Sequence, residues 1–210
     1  MRFDILQEES FITDQDLTIG IGGIESKREI KETETTIEAR YGKQWRTIRS
    51  SANFKNTGSL SADKPQGCIA QIKLAANESN RDDSMDVQAQ DNLISAEFDG
   101  ETHAEINGVL EVSKKSGVEL NKESLKVIDS IKISSPPCPR CAVVLQNLGL
   151  SDKVEHTPGT SKTGPTWGWP ADKSDELFKI LNDGIPENDQ APASKRDDVI
   201  RYFKSGDWAT

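Results

Sequence analysis

Two short motifs with metal-binding side chains constrain this chain more than any other feature, because they can act only if the fold brings them together. The first motif is Thr102–Glu105 (THAE), and the second is Pro137–Cys141 (PCPRC). Together they supply the imidazole of His103, two thiolates at CxxC spacing and one carboxylate two residues after the histidine. One imidazole and two thiolates leave a tetrahedral zinc ion one ligand short, which is how catalytic zinc sites differ from structural ones. The motifs therefore predict a zinc site with an open position.

The chain between the motifs has the pattern of a helix, a turn and a strand. Residues 103–116 carry apolar side chains at helical spacing, and Leu125–Ile133 is rich in β-branched residues. A helix of that length carries the chain about 21 Å away, and the strand returns it about 30 Å. A second helix, Pro139–Leu148, then begins at Cys138. We therefore expect His103 and Cys138 to lie at two helix N-termini that face one point.

Each of the two motifs also has a simpler interpretation. Thr102-x-x-Glu105 is a capping box, which occurs at the start of many helices. A CxxC motif that follows a strand and opens a helix is also found in redox proteins. A closed structural zinc site would need a fourth ligand, for which the sequence offers His156. The redox and structural-zinc interpretations leave Glu105 without a role, but the sequence alone does not exclude them.

The two motifs resemble those of the cytidine deaminase-like superfamily of zinc-dependent nucleobase deaminases. His103–Asn107 (HAEIN) is similar to its His-Ala-Glu helix, and Ser135–Cys141 (SPPCPRC) is similar to its Pro-Cys-x-x-Cys helix. The resemblance covers roughly residues 66–158. It implies an α/β fold of three layers, in which a mixed central sheet has helices on both faces. Among the families of this superfamily, the bacterial toxin-type deaminases are the most similar, because their motifs are short and the sequences that flank them vary widely.

The resemblance also implies roles for individual residues. Zn2+ would be bound by His103, Cys138 and Cys141, and Glu105 would move protons without binding the metal. The backbone N–H of Ala104 would orient the base. The expected reaction is hydrolytic deamination of cytosine or adenine in nucleic acid, by a toxin domain whose partners would include an immunity protein. A free nucleoside or nucleotide deaminase and a non-catalytic zinc-stabilised module are the alternatives.

A short basic stretch stands out in a chain whose formal net charge is −9. That charge argues against broad nucleic-acid affinity, which requires Lys and Arg to displace counterions. Residues 39–55 nevertheless contain basic and aromatic side chains and no acid. This mixture is typical of phosphate contact combined with base stacking. The predicted nucleic-acid contacts are Arg40, Lys43, Trp45, Arg46 and Arg49. The alternative is an amphipathic helix whose tryptophan packs inward.

Three further residues are candidates for substrate binding. Trp167 and Trp169 lie in a Gly/Pro-rich loop, and His156 ends a short strand pattern just before it. An aromatic ring or an imidazole at such a place can stack on a base. The alternatives are a structural aromatic pair and a partly buried histidine.

The rest of the chain sets the expected organisation. Residues 1–60 are predicted to be a partly irregular N-terminal extension, 61–185 the catalytic domain, and 186–210 a linker with a C-terminal element. Residues 77–90 have the polar character of a loop. No apolar run is long enough for a membrane span, and no classical signal peptide is visible. Three cysteines do not form a disulfide framework, so we expect a reducing, cytoplasmic location, or export as an effector if the chain is a toxin.

Overall fold

The fold is known from a computed structural model that describes residues 37–58, 60, 68–75, 87–90, 92–95, 100–161 and 167–210. One compact unit spans Ile37–Thr210. Buried residues on both sides of the predicted boundaries at residues 60 and 185 belong to one core, and the predicted division at those boundaries stays a prediction. Residues 1–36 of the predicted N-terminal extension lie outside the described residues.

The unit is an α/β structure built on a mixed sheet. Its strands are β1 (Lys55–Asn56), β2 (Ile69–Leu74), β3 (Val87–Gln90), β4 (Asn92–Ser95), β5 (Gly100–Thr102), β6 (Ile128–Ile133) and β7 (Val154–His156). Its helices are α1 (Lys43–Ser51), preceded by a π-helical turn at Glu38–Gly42, then α2 (Ala104–Ser116), α3 (Pro139–Asn147), α4 (Ser174–Asn182) and α5 (Arg196–Ser205). Short 3-10 turns connect several of these elements.

Five of the described strands form one sheet in the order β1-β7-β6-β2-β3. The strands β1, β7 and β6 run parallel, whereas β2 is antiparallel to both β6 and β3. A separate antiparallel pair, β4 and β5, leads directly into the THAE motif. The strand β3 corrects the sequence prediction of a loop at 77–90, since Val87 and Ala89 alternate into the core over a stretch too short to stand out in the sequence.

The two faces of the sheet differ in polarity. One face carries buried aliphatic side chains, such as Ile72 and Ile131, which are directly paired across β2 and β6. Helix α2 packs against β2, β3 and β6. The opposite face carries polar residues, among them Gln71, Lys73 and Gln88, which are exposed. The mixed sheet with helices agrees with the predicted α/β class, and the expected helices on both of its faces stay a prediction.

The remaining helices form a layer around α3. Helices α1 and α4 both contact α3, and α5 packs on α4. Almost every residue of α3 is buried. In the predicted C-terminal element, Val199 and Phe203 of α5 and Trp208 beyond it are all fully buried. No helix in the described part of the chain is both long enough and apolar enough to cross a membrane.

Candidate metal centre

His103 lies at the junction between β5 and α2. It is the N-cap residue of α2, with extended backbone angles, and its side chain is largely buried, with 8% exposed. Two hydrogen bonds from Asn107 fix this junction: its backbone N–H donates to the His103 carbonyl over 2.9 Å, and its side-chain amide donates to the Thr102 carbonyl over 3.2 Å. The first motif is thus held rigidly at the start of a helix.

The two cysteines lie at the start of α3. Cys138 is the N-cap residue, and its Sγ accepts a hydrogen bond from the backbone N–H of Cys141 over 3.4 Å. Pro139 occupies the first turn, where the absence of an N–H costs nothing. Both cysteines are buried and free of disulfides. Because the N-terminus of a helix carries partial positive charge, this position favours thiolates and therefore metal binding.

The fold brings the two motifs together as the sequence predicts. The ligand atoms of His103, Cys138 and Cys141 all lie within 4.8 Å of one another. The distance between Cys141 Sγ and His103 Nδ1 is 3.5 Å. Two ligands of a tetrahedral zinc ion are about 3.6 to 3.8 Å apart, given the usual Zn–S and Zn–N bond lengths. One imidazole and two buried thiols so arranged can bind a metal ion.

Glu105 is buried in the first turn of α2, next to this group. Only 3% of it is exposed, and among the described residues no lysine or arginine pairs with it. Burial, reinforced by the negative charge of Cys138, raises the pKa of Glu105 to about 7, although the charge of His103 partly opposes the rise. A carboxyl group that titrates near neutral pH can both accept and donate a proton, as general acid–base chemistry requires.

The pKa values of the two thiols are shifted in opposite directions. Burial opposes ionisation of Cys138, but hydrogen bonds from Cys141 and His103, with the charge of His103, outweigh it and lower the pKa of Cys138 well below its usual value. Burial is the largest influence on Cys141, and with the neighbouring Cys138 it raises the pKa of Cys141 well above normal. The metal-free site therefore favours one thiolate and one thiol. Metal binding would have to release the second proton, because metals bind the thiolate.

Two of the simpler interpretations do not fit this geometry. The described residues form no capping box here, since His103 rather than Thr102 is the N-cap residue, and the buried hydroxyl of Thr102 has no hydrogen-bond partner among them. His156 does not join the ligand group found among the described residues. Its Nδ1 lies 3.0 Å from the carbonyl oxygen of Thr157. The described side chains thus supply three ligands rather than four, and the predicted substrate role of His156 stays a prediction.

The predicted stacking residues Trp167 and Trp169 are buried instead. Only 1% and 2% of them are exposed. The indole N–H of Trp167 donates to Cys141 Sγ over 3.3 Å, and that of Trp169 donates to the Lys173 carbonyl over 2.8 Å. Their rings stack on each other, with centroids 6.0 Å apart. In this structure neither ring offers an open face to a base, and Trp167 supports a candidate ligand, which no sequence pattern indicated.

The structure separates the aromatic residue of the basic stretch from its basic residues. Trp45, predicted to contact nucleic acid, is fully buried, and its ring packs edge-on against that of Phe203, with centroids 4.9 Å apart. The inward-packing amphipathic helix is the correct interpretation there. Arg46 and Arg49 donate to the backbone carbonyls of the C-terminal residues 208 and 209, over 2.8 and 3.2 Å. Arg40 and Lys43 are exposed at the start of this helical segment.

Arg140, between the two cysteines, has a role that the sequence did not indicate. Its guanidinium group is buried and donates to the carbonyl of Ser205, the last residue of α5, over 2.9 Å. Gly206 follows with φ of 77°, and a Cβ atom there would overlap the guanidinium group. The C-terminus of α5 is thus fitted around the PCPRC motif. Ala104, beside His103, is also fully buried.

Comparisons with known proteins do not identify a family: no family model, curated protein or solved structure matches this chain. The resemblance to deaminases therefore rests on the two motifs alone, and the structure shows a His/Cys/Cys group that could bind a metal ion.

Proposed function

We propose that this protein is a zinc-dependent hydrolytic deaminase that acts on a nucleobase. The observation that carries the proposal is the buried Glu105 beside a buried His/Cys/Cys group. A structural zinc site has four protein ligands and no use for a fifth, ionisable side chain. Burial of a carboxyl group whose pKa is raised costs stability. Such a cost is typical of a site that performs proton transfer.

Each residue of the site has its own role in the proposed reaction. His103, Cys138 and Cys141 would bind Zn2+, which when bound supplies a Lewis acid that makes water nucleophilic at neutral pH. Glu105 takes a proton from the attacking water and delivers it to the ring nitrogen of the base. A second proton transfer by Glu105 converts the amino group into departing ammonia. The net reaction consumes one water, releases one ammonia and leaves a carbonyl in place of the amine. By analogy with deaminases, the N–H of Ala104 orients the base.

The arrangement of elements supports this family of reactions over the alternatives. Each motif opens a helix that follows a strand. One residue separates β5 from α2, and five residues separate β6 from α3. The two helix N-termini then favour the negative charge that the thiolates carry. A CxxC redox site would also place its cysteines at a helix start, but it would use neither His103 nor Glu105.

For the substrate we favour cytosine or adenine within a nucleic acid strand, as in a toxin-type deaminase that an immunity protein would inhibit. The support is narrower than the sequence indicated, because Trp45 is buried and the exposed Arg46 and Arg49 each already donate to a backbone carbonyl, that of residue 208 and 209 respectively. Arg40 and Lys43 remain exposed, on the segment that leads into α1, and α1 packs against α3. A free nucleoside is the second candidate, favoured by the net charge of −9.

The decisive experiment offers the protein single-stranded DNA, double-stranded DNA, RNA and free nucleosides, and measures uracil and hypoxanthine. We expect one of these products, and we expect Glu105→Ala to abolish it while leaving bound zinc unchanged, since Glu105 is not a ligand. Near-normal turnover by Glu105→Gln would contradict the general acid–base role. Full zinc occupancy with no product from any substrate would favour the non-catalytic module.

Neutralising the exposed basic side chains separates nucleic acid from free nucleosides as the substrate. Arg40→Gln with Lys43→Gln should weaken oligonucleotide binding and reduce its salt dependence, because each phosphate contact releases a counterion. The matched control is Lys114→Gln with Lys179→Gln, which removes the same charge from exposed positions on α2 and α4. Activity on nucleosides that is insensitive to salt and to both double substitutions would favour the second candidate.

A further inference from the structure

One hydrogen bond reaches the candidate metal centre from outside the two motifs. The indole N–H of Trp167 lies 3.3 Å from Cys141 Sγ, which is within the range of an N–H···S hydrogen bond. Both groups are buried, with 1% of Trp167 and none of Cys141 exposed. Water therefore does not compete for either partner, and a buried indole N–H without this acceptor would be left unsatisfied.

The segment that carries Trp167 is fixed on the other side of the centre as well. The backbone N–H of Gly168 donates over 2.9 Å to the carbonyl of Glu101, two residues before His103. Trp167 thus holds the second motif while its chain neighbour holds the strand that precedes the first. The ring is clamped by Trp169, stacked at 6.0 Å, and by Phe203, edge-on at 5.3 Å. Its N–H therefore has one orientation, toward the sulfur.

We propose that Trp167 is a positioning residue of the metal centre: it orients the Cys141 sulfur and withdraws electron density from it through the N–H···S hydrogen bond. The inference rests on the metal assignment of the proposed function, but it does not depend on the reaction. Groups that hydrogen-bond to metal ligands fix the ligand's orientation and tune the bond to the metal. The hydrogen bond holds the sulfur where the metal needs it, so losing the bond weakens metal affinity; it also lowers the charge that the sulfur gives to the metal, which changes the charge-transfer spectrum.

The chain offers a matched pair of substitutions. Trp167→Phe keeps an aromatic ring in the cluster and removes the N–H donor to sulfur. Trp169→Phe makes the same change in the adjacent stacked ring, whose N–H instead binds the carbonyl of Lys173. A purely structural role would give similar effects at both positions. A positioning role affects the metal only at Trp167.

The test measures metal binding rather than turnover. Zinc affinity is determined by competition with a chelator, and the thiolate-to-metal charge-transfer band is recorded after substitution with Co2+. We expect Trp167→Phe to weaken zinc about 10-fold to 100-fold and to shift the cobalt band. Trp169→Phe should change the affinity by less than about threefold and leave the band in place. Equal effects of the two substitutions would overturn the inference while leaving the zinc assignment intact.

A measurement on the unsubstituted protein guards against misfolded variants. The chain has four tryptophans and hence four indole N–H signals in a nitrogen–proton NMR spectrum. After loading with cadmium-113, one of these protons should show coupling to the metal through the N–H···S bond. Absence of any such coupling in a cadmium-loaded protein overturns the role of Trp167. A protein that binds neither zinc nor cadmium overturns the metal assignment as well.

Discussion

The buried carboxyl group of Glu105 leads to a quantitative prediction about stability. In the metal-free protein, burial raises the pKa of Glu105 from its usual 4.5 to about 7. A carboxyl group whose pKa is higher in the folded state makes its full contribution to stability below pH 4.5, where it is protonated in both states. That contribution is lost as the pH rises through 7, because the unfolded chain releases the proton first. The protein should therefore become less stable between these two values.

The size of this loss of stability follows from the difference between the two pKa values. From 4.5 to about 7 is about 2.5 pH units, and each unit corresponds to about 1.4 kcal/mol, so the loss is about 3 kcal/mol. Glu105→Gln removes the ionisation and keeps the shape of the side chain. We expect this variant to match the original protein near pH 4.5 and to be more stable by about 3 kcal/mol at pH 8. A residue required for the reaction would thus cost stability, as active-site residues often do.

The assay is urea unfolding of the chelator-treated, reduced protein at pH 5 and pH 8. The cysteines and His103 titrate in both proteins, so the difference in free energy of unfolding reports Glu105 together with its electrostatic coupling to them. Glu119→Gln serves as the control, because Glu119 is exposed and its carboxylate accepts a hydrogen bond from the nearby Asn121 side-chain amide. A stability difference that is the same at both pH values, or a variant that is less stable at pH 8, would refute the reasoning.

Two further predictions concern the metal and the C-terminus of α5. Elemental analysis should find about one zinc per chain, and the double substitution Cys138→Ala with Cys141→Ala should lose it; full occupancy in that variant would disprove the ligand set. Gly206→Ala should destabilise the protein by about 2 to 4 kcal/mol, because it combines a left-handed backbone with overlap against Arg140. Gly117→Ala has the same backbone strain, but beyond its chain neighbours no described atom lies within 4 Å of the added Cβ, so thermal or urea unfolding should show a cost of only about 1 to 2 kcal/mol.

The sequence predicted the elements that form the candidate site because their signals are local. Helix α2 starts after His103 and ends before Gly117, whose φ of 63° suits glycine. Helix α3 begins at Pro139, after Cys138. The strand between them, β6, is three residues shorter at its start than predicted, because residues 124–127 form a 3-10 turn. Capping residues, β-branched runs and ligand types are all read from adjacent positions, so the meeting of the two motifs could be inferred without the structure.

Only the tertiary structure decided what surrounds the site. Trp45 and Trp167 occur in stretches that also suit base stacking, and nothing nearby in the sequence distinguishes an inward from an outward ring. Contacts with α5, far along the chain, place Trp45 in the core, and the distant Cys141 sulfur gives the Trp167 N–H its partner. Local patterns report backbone propensity and side-chain chemistry. Burial depends instead on which distant surfaces meet, and the free energy that selects them is distributed over the whole core.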